Sequence, residues 1–463
     1  MDIRDYYGKK VHFIGIGGSS MSGLALLMQW HGCEVSGSDR TANHKTDALE
    51  KRGIKIYIGH DGKNVLGKDL VIYSAAIPYD NPERKAARDS GITEIERCKL
   101  IGMIMEHYCD SIAISGTHGK TTTTAMLSSV FIAAGEDPTI HIGGELSSIG
   151  GSTRLGKGDT FICEACEYNA SFLSFLPDRA IILNIDEDHL DFYKDIDDIT
   201  NAFKKFADLV PENGCVFGNG DDPRVRKLLE GLNCRTCTFG FEPQNMVRAE
   251  SISYDEDGRA YFTATYFGHP LAEIELSVAG EHNVKDALAV IAVANDSQLP
   301  MSVVAKALHD FNGVGRRYEL TSVTDGVRVY TDYGHNPTET QTVLTVARKQ
   351  AKGRLFAVLQ PHTFSRTKTL FDGFVHCFDD ADEVLVTDIC AAREVDPGDI
   401  NSAMLVDAMQ KNGVNAHYTP TFDNAEAYLR AHWKQGDSAI TLGCGDIYLL
   451  NEQIAAHGDS RKE

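Results

Sequence analysis

The chain is 463 residues long, 42% hydrophobic and 24% charged, with a formal net charge of −21. At about 150 residues per domain this length suggests about three domains, and the balance of apolar and charged residues excludes disorder and a membrane-embedded class. The negative charge disfavours DNA and RNA, whose phosphates are held by clustered Lys and Arg, so an anionic small substrate needs local basic groups and glycine amides.

The opening MDIRDYYGKKVHFIGIGG is charged, and its apolar run breaks at Gly15, so no secretory core is expected. No stretch approaches the ~20 apolar residues of a membrane span, and no membrane insertion is expected. Eleven scattered cysteines are an odd number, which argues for reduced thiols and a cytoplasmic location. The pairs Cys163/Cys166 and Cys234/Cys237 fall in strand-like runs, where Cys is more often a small buried hydrophobe than a zinc ligand.

Residues 10–15 read as a buried strand, 19–31 as a helix ended by Gly32, and 34–37 as a second strand leading to Asp39, which opens a parallel α/β unit. Gly15-Ile16-Gly17-Gly18 joins that strand to that helix. Backbone amides there suit a pyrophosphate, and Asp39 suits ribose hydroxyls. Taken alone this suggests NAD, but position six of G-x-G-x-x-G is Ser20 rather than Gly or Ala, so the dinucleotide pattern fails as written. Strands follow at 54–58 and 70–74. A helical stretch over 98–107 sets the first domain boundary near Glu106.

A new strand at 111–115 leads into Ser115-Gly116-Thr117-His118-Gly119-Lys120-Thr121 and a helix over 120–134. Glycines let backbone N–H groups turn toward an anion, the helix N-terminus adds positive potential, Lys120 can reach β- and γ-phosphates, and the Thr121 hydroxyl can hold Mg²⁺. The general phosphate-loop pattern wants Gly where Ile114 stands, so this is a shorter form, G-T-H-G-K-T. Strands at 160–166 and 179–185 end in Glu164-Ala165-Cys166-Glu167 and Asp186-Glu187-Asp188-His189-Leu190-Asp191. Strand ends of open α/β sheets face the ligand crevice, and Mg²⁺ takes oxygen ligands. Glu167 is therefore expected with Thr121 at one Mg²⁺, and His189, an unusual ligand for that ion, at a second. Between 234 and 279 alternating residues with turn signals at Asp257-Gly258 and Gly268-His269-Pro270 suggest an antiparallel appendage, followed by a helix over 282–295.

Gly313-Val314-Gly315 is a plausible hinge before a third α/β unit, with strands at 327–332, 355–360, 383–388, 416–419 and 438–443. Asp332-Tyr333-Gly334-His335-Asn336-Pro337 and Gln360-Pro361-His362-Thr363-Phe364-Ser365-Arg366-Thr367 stand at neighbouring strand ends, around one crevice able to take an amino acid.

In this order the motifs resemble those of the Mur ligase family. GTHGKT is its short phosphate loop, EACEYNASFL at 164–173 is similar to its E-A-D-E-S-D-x-S-F-L, and 184–191 to its N-I-x-x-D-H-x-D, with Cys166, Tyr168 and Asn169 departing from the pattern. GIGGSSMSG at 15–23, Gly37-Ser38-Asp39 and Ser74-Ala75-Ala76-Ile77 resemble its UDP-binding domain. Gly280-Glu281-His282-Asn283, Gly315-Arg316-Arg317-Tyr318 and Gly443-Cys444-Gly445-Asp446-Ile447 match further segments. The resemblance implies three α/β domains: a Rossmann-like UDP-sugar-binding domain over 1–106, a phosphate-loop ATP-binding domain with the antiparallel appendage over 107–314, and a Rossmann-like amino-acid-binding domain over 315–463. It implies ATP-dependent joining of L-alanine to the lactyl carboxylate of UDP-N-acetylmuramate through an acyl phosphate, in peptidoglycan precursor synthesis, by a monomer or homodimer using two Mg²⁺ ions.

By the same resemblance, Gly116, Thr117, His118, Gly119, Lys120, Thr121, Thr122, Asn283, Arg316 and Asp332 would bind ATP. Gly15, Gly17, Gly18, Ser19, Ser20, Asp39, Ser74, Ala75 and Ala76 would bind the UDP-sugar, and Tyr333, His335, His362 and Arg366 the amino acid. Thr121, Glu167 and His189 would hold metal, while Lys120, His189, Arg316, Arg317 and His335 would serve catalysis. Some Mur relatives carry a carbamylated lysine at the metal, for which Lys204 and Lys205 are candidates. Three rivals stay open: a related ligase that attaches a preformed tripeptide to the same sugar, a nucleotide-dependent regulator or ATPase, and an NAD-linked oxidoreductase.

Overall fold

The computed structural model describes residues 2–190, 192–392 and 394–459. Asp191, the last acid of the expected 184–191 motif, lies outside them. The chain forms two compact units: Met1–Ser251 with Phe262–Ile274 and Val284–Phe311, and Ile252–Tyr261 with Glu275–Asn283 and Asn312–Glu463. No helix among the described residues is long and apolar enough to cross a membrane.

The first unit opens with a five-stranded parallel sheet, in spatial order Lys55–Ile58, Glu34–Asp39, Lys10–Ile14, Leu70–Tyr73 and Thr93–Glu96. Val11, Phe13 and Ile14 are fully buried in its central strand, as a strand covered on both faces requires. The strand order reverses about this strand, and the glycine loop follows its carboxyl end, where such sheets bind ligands.

A second, ten-stranded sheet begins in this unit. Its strands run, in order, His269–Ala279, Arg259–Tyr266, Val247–Tyr254, Arg235–Gly240, Cys215–Asn219, Arg179–Ile182, Asp110–Ser115, Thr160–Glu164, Thr139–Leu146 and Gly151–Arg154. Asp110–Ser115 lies at its heart, parallel to Arg179–Ile182 on one side and Thr160–Glu164 on the other, with Ile114 opposite Glu164 and Ser115 opposite Ile182. Three acid-rich or glycine-rich segments thus leave the sheet at one edge. Phe172 stacks on Phe206 at 4.7 Å and meets Phe203 edge-on at 5.3 Å beneath it.

The strands Val247–Tyr254, Arg259–Tyr266 and His269–Ala279 confirm the appendage, with one adjustment. The turn is Phe267-Gly268, both at positive φ (48° and 78°), a two-residue hairpin geometry matched to strand twist. His269 and Pro270 instead begin the following strand, where proline is tolerated because that strand is the sheet's edge.

The second unit holds a six-stranded sheet in the order Glu319–Thr324, Val327–Asp332, Ser438–Leu442, Leu355–Leu359, Glu383–Val386 and Ala416–Tyr418. All neighbours are parallel except the first pair, so Glu319–Thr324 adds an antiparallel edge strand that the sequence pattern did not reveal. Leu355, Ala357 and Leu359 pack into one apolar layer with Phe374 and Phe378, while Phe356 and Val358 pack into the other with Leu429 and Leu450. Both faces are covered, and the polar strand ends are left for chemistry.

Candidate active site

The phosphate loop of the first unit is built as the sequence suggests. Gly116 (φ 149°) and Gly119 (φ 83°) adopt backbone conformations that L side chains rarely reach, and Gly119 caps the Lys120–Ala133 helix. The loop is clamped by the chain leaving the Arg179–Ile182 strand. Asn184 accepts the His118 N–H through Oδ1 (2.8 Å) and donates through Nδ2 to the His118 carbonyl (3.1 Å), while its own carbonyl accepts the Thr117 N–H (3.1 Å). The Thr117 hydroxyl accepts the Asp186 N–H at 2.9 Å. His118 Nε2 lies 3.5 Å from Asp186 Oδ2, and this contact holds the Asp186 carboxyl below its usual range.

Lys120 Nζ donates to the carbonyls of Gly116 (2.7 Å) and Thr117 (3.0 Å) and pairs with Glu167 Oε2 at 2.9 Å. Burial alone would lower the lysine pKa, but the Glu167 charge overrides it and holds the ammonium protonated, above its ordinary value. The Thr121 hydroxyl donates to Glu164 Oε2 at 2.9 Å, and that oxygen also accepts the Gly143 N–H at 2.9 Å.

Glu167 instead sits between Lys120 and His189, whose Nε2 is 3.8 Å from Glu167 Oε1. Two and three residues after it, Asn169 and Ala170 take left-handed backbone angles (φ 56° and 51°), a strain of about 1–2 kcal/mol at the alanine. His189 is left-handed too (φ 54°) and packs on Tyr168 at 4.6 Å, and its Nδ1 is buried without a hydrogen-bond partner among the described residues. Lys204 pairs with Asp208 one turn along its own helix, and Lys205 is exposed.

At the glycine loop of the first sheet, Gly15 is left-handed (φ 82°). Asp39 already serves this loop: Oδ2 accepts the Gly17 N–H (2.8 Å) and Oδ1 the Arg40 N–H (2.8 Å). Ser19 Oγ accepts from Lys45 Nζ at 2.6 Å, and Ser20 Oγ accepts from Arg97 Nη1 at 3.0 Å. Ser74, Ala75 and Ala76 follow the Leu70–Tyr73 strand, with Ser74 beside Gly15.

In the second unit the C-terminal strand ends bring several expected residues together. Arg316 Nη2 donates to the carbonyls of Gly443 (2.8 Å) and Gly445 (3.0 Å), and its guanidinium lies over Tyr333 and Tyr448. Arg317 also faces Tyr333, at 5.0 Å. Asp332 is buried and accepts the N–H groups of Tyr318 (2.7 Å) and Gly334 (2.6 Å); burial raises its pKa against the lowering effect of Arg317. His335 Nδ1 lies 3.1 Å from the Tyr333 carbonyl and 3.3 Å from Glu339. Arg366 Nη1 lies 3.4 Å from His362 Nδ1, one turn into the helix capped by Thr363. Asn283 donates to the Ala279 carbonyl at 2.6 Å. Gln360, not singled out for a role in advance, binds Asp446 Oδ1 (2.7 Å) and the Ile447 N–H (3.2 Å), joining two of these motifs.

A phosphate loop with a buried lysine–glutamate pair, at the carboxyl end of a parallel strand in a chain of α/β sheets, defines an α/β nucleotide-binding protein. The chain belongs to the Mur ligase family: the family's catalytic domain matches residues 10–109, its middle domain 114–294 and its glutamate ligase domain 316–445. It is 46% identical over 447 residues to the UDP-N-acetylmuramate–L-alanine ligase of Acetivibrio thermocellus, covering 96% of this chain and 95% of that one. The crystal structure of the UDP-N-acetylmuramate–alanine ligase of Thermotoga maritima superposes with a TM-score of 0.83 at 28% identity, covering 98% and 100% of the two chains. A murein peptide ligase from Psychrobacter arcticus shares the fold (TM-score 0.73, 24% identity, 97% and 98% covered).

Proposed function

We propose that this protein is a cytoplasmic ligase that joins L-alanine to the lactyl carboxylate of UDP-N-acetylmuramate at the expense of ATP, with domains meeting near residues 106 and 314. The observation that carries the reading is the Lys120–Glu167 pair beside the Thr121–Glu164 hydrogen bond at a phosphate loop, together with the substrates named for the A. thermocellus relative.

A carboxylate is a poor electrophile, so its oxygen must first attack the γ-phosphorus of ATP. The bond from that phosphorus to ADP breaks and an acyl phosphate forms. The alanine nitrogen then attacks the acyl carbon, the carbon–oxygen bond to phosphate breaks, and inorganic phosphate leaves. Positioning and charge neutralisation supply most of such a rate. Lys120 holds the β- and γ-phosphates, the amides of residues 116–122 cradle them, and Arg316 and Arg317 offset charge on the transferring group. The ammonium proton of alanine goes to His335 or Asp332. Asn283 contacts the nucleotide, and Tyr333, His335, His362 and Arg366 hold the amino acid.

Thr121, Glu164 and Glu167 would supply oxygen ligands to one Mg²⁺, and the unpaired Nδ1 of His189 would serve a second ion. When bound, Mg²⁺ would neutralise phosphate charge. Gly15, Gly17, Gly18, Ser19, Ser20 and Ser74–Ala76 receive the UDP moiety. Asp39 accepts the Gly17 and Arg40 N–H groups, one on each oxygen, which shapes that loop and leaves lone pairs for ribose hydroxyls.

Phosphate release measured with each component omitted tests the reading. Release that requires both UDP-N-acetylmuramate and L-alanine supports it. Release without an amino acid, or with a tripeptide in preference to alanine, overturns it. Hydroxylamine added during turnover should trap a muramyl hydroxamate that depends on ATP but not on alanine.

A further inference from the structure

Ser20 is the residue that breaks the dinucleotide pattern, and its side chain has a task of its own. Its hydroxyl accepts from Arg97 Nη1 at 3.0 Å and lies 2.7 Å from His141 Nε2. His141 Nδ1 lies 3.1 Å from the Thr153 hydroxyl. Since the serine oxygen accepts from arginine, its proton is free to go to His141 Nε2, and the imidazole N–H then falls on Nδ1, facing Thr153. One direction of donation therefore satisfies the whole chain, with a neutral ring. His141 is 3% exposed; burial and the Arg97 charge push its pKa down to about 3, which keeps it neutral at working pH.

His141 and Thr153 belong to the Thr139–Leu146 and Gly151–Arg154 strands, which pair antiparallel. This hairpin reaches the first turns of the Ser19–Trp30 helix at further points: the Ser152 hydroxyl donates to the Ser19 carbonyl at 3.2 Å, and a side chain at Gly23 would run into Thr153. Two residues beyond His141 on the same strand, the Gly143 N–H donates to Glu164, the carboxylate that takes the Thr121 hydroxyl. One strand thus touches the sugar-nucleotide loop at one point and the phosphate-loop carboxylate at another.

We infer that His141 is a positioning residue that couples the two ligand sites: through Ser20 and Arg97 it sets the glycine loop that receives the UDP-sugar, and through its own strand it sets Glu164 beside Thr121, so that each ligand strengthens binding of the other. This rests on the function proposed above. Coupling of this kind is reciprocal, and contiguity of contacts does not itself establish it, so it is measured directly.

The affinity of the full-length protein for a nonhydrolysable ATP analogue with Mg²⁺ is titrated with and without saturating UDP-N-acetylmuramate, and the converse. The ratio is the coupling factor, which does not depend on either ligand's own affinity. The unchanged protein should give a factor of about fivefold or more, and His141→Ala should bring it to within about twofold of unity. His141→Gln, whose amide oxygen can accept the Ser20 hydroxyl, should restore most of it. Thr153→Val, which keeps side-chain shape but removes the acceptor for Nδ1–H, should lower it and carries the test if His141→Ala does not fold. An unchanged factor in the folded variants, or no coupling in the unchanged protein, overturns the inference while leaving the ligase reading intact. Failure of the unchanged protein to bind either ligand overturns both.

Discussion

Asn184 offers the sharpest test of how the phosphate loop is prepared for its ligand. Its amide makes two hydrogen bonds to the His118 backbone, at 2.8 and 3.1 Å, and both are lost in Asn184→Ala. At about 1 kcal/mol each, the clamp contributes about 2 kcal/mol to holding the loop amides in place. A loop that must be ordered by the nucleotide loses that amount from binding, or roughly thirtyfold in Kd. Calorimetric titration with a nonhydrolysable ATP analogue and Mg²⁺ measures it, with UDP-N-acetylmuramate binding as the control. Asn184→Asp should be no better, because it keeps the acceptor but turns a carboxylate oxygen toward the His118 carbonyl. A folded Asn184→Ala protein whose nucleotide Kd stays within about twofold of the original would refute the claim that this clamp preorganises the loop.

Lys120→Ala should abolish nucleotide use while UDP-sugar binding stays measurable, and equal loss of both would contradict separate sites. It should also lower the thermal midpoint, since Glu167, 2% exposed, is left as a buried charge without its cation, a loss of about 3–5 kcal/mol; adding Glu167→Gln should recover stability but not activity. Glu164→Ala and Glu167→Ala should each raise the Mg²⁺ concentration needed for half-maximal rate, and a variant with unchanged Mg²⁺ dependence leaves the ligand set. For His141 the folded pKa of about 3 lies below the 6.5 of the free side chain. Above pH 6.5 both states are neutral; below it only the unfolded chain takes the proton, and stability falls progressively toward pH 3. Between pH 7.5 and 5.5 the loss is about 1.4 kcal/mol. Urea unfolding at those two pH values should show a steeper dependence in the unchanged protein than in His141→Gln, and identical dependences would refute it.

Local signals in this chain were readable before any fold was known. The glycines, lysine and threonine of residues 116–121 are contiguous, and their conformational demands are met within one turn. Strand ends at Ser115, Asp39 and Asp332 were legible because apolar runs stop at polar or glycine residues there. The partner of Thr121 was not. Glu164 and Glu167 are both acids at the end of one strand, and choosing between them needs the register against a strand some fifty residues earlier. The Thr139–Arg154 hairpin gave no clear alternation, since its glycines and half-exposed side chains blur the period of two, and so the contacts of His141 with Ser20 lay out of sight.

The pairing of Ile114 with Glu164 restricts what kind of change this region can absorb. Side chains alternate across a strand, so one residue inserted into or removed from Thr160–Glu164 turns Glu164 to the opposite face of the sheet and leaves the Thr121 hydroxyl and the Gly143 amide without their acceptor. Point replacements within the strand alter packing by degrees, but a change of length by one switches the carboxylate off entirely. Descendants of this sequence are therefore expected to drift in composition here while keeping the spacing from threonine to glutamate.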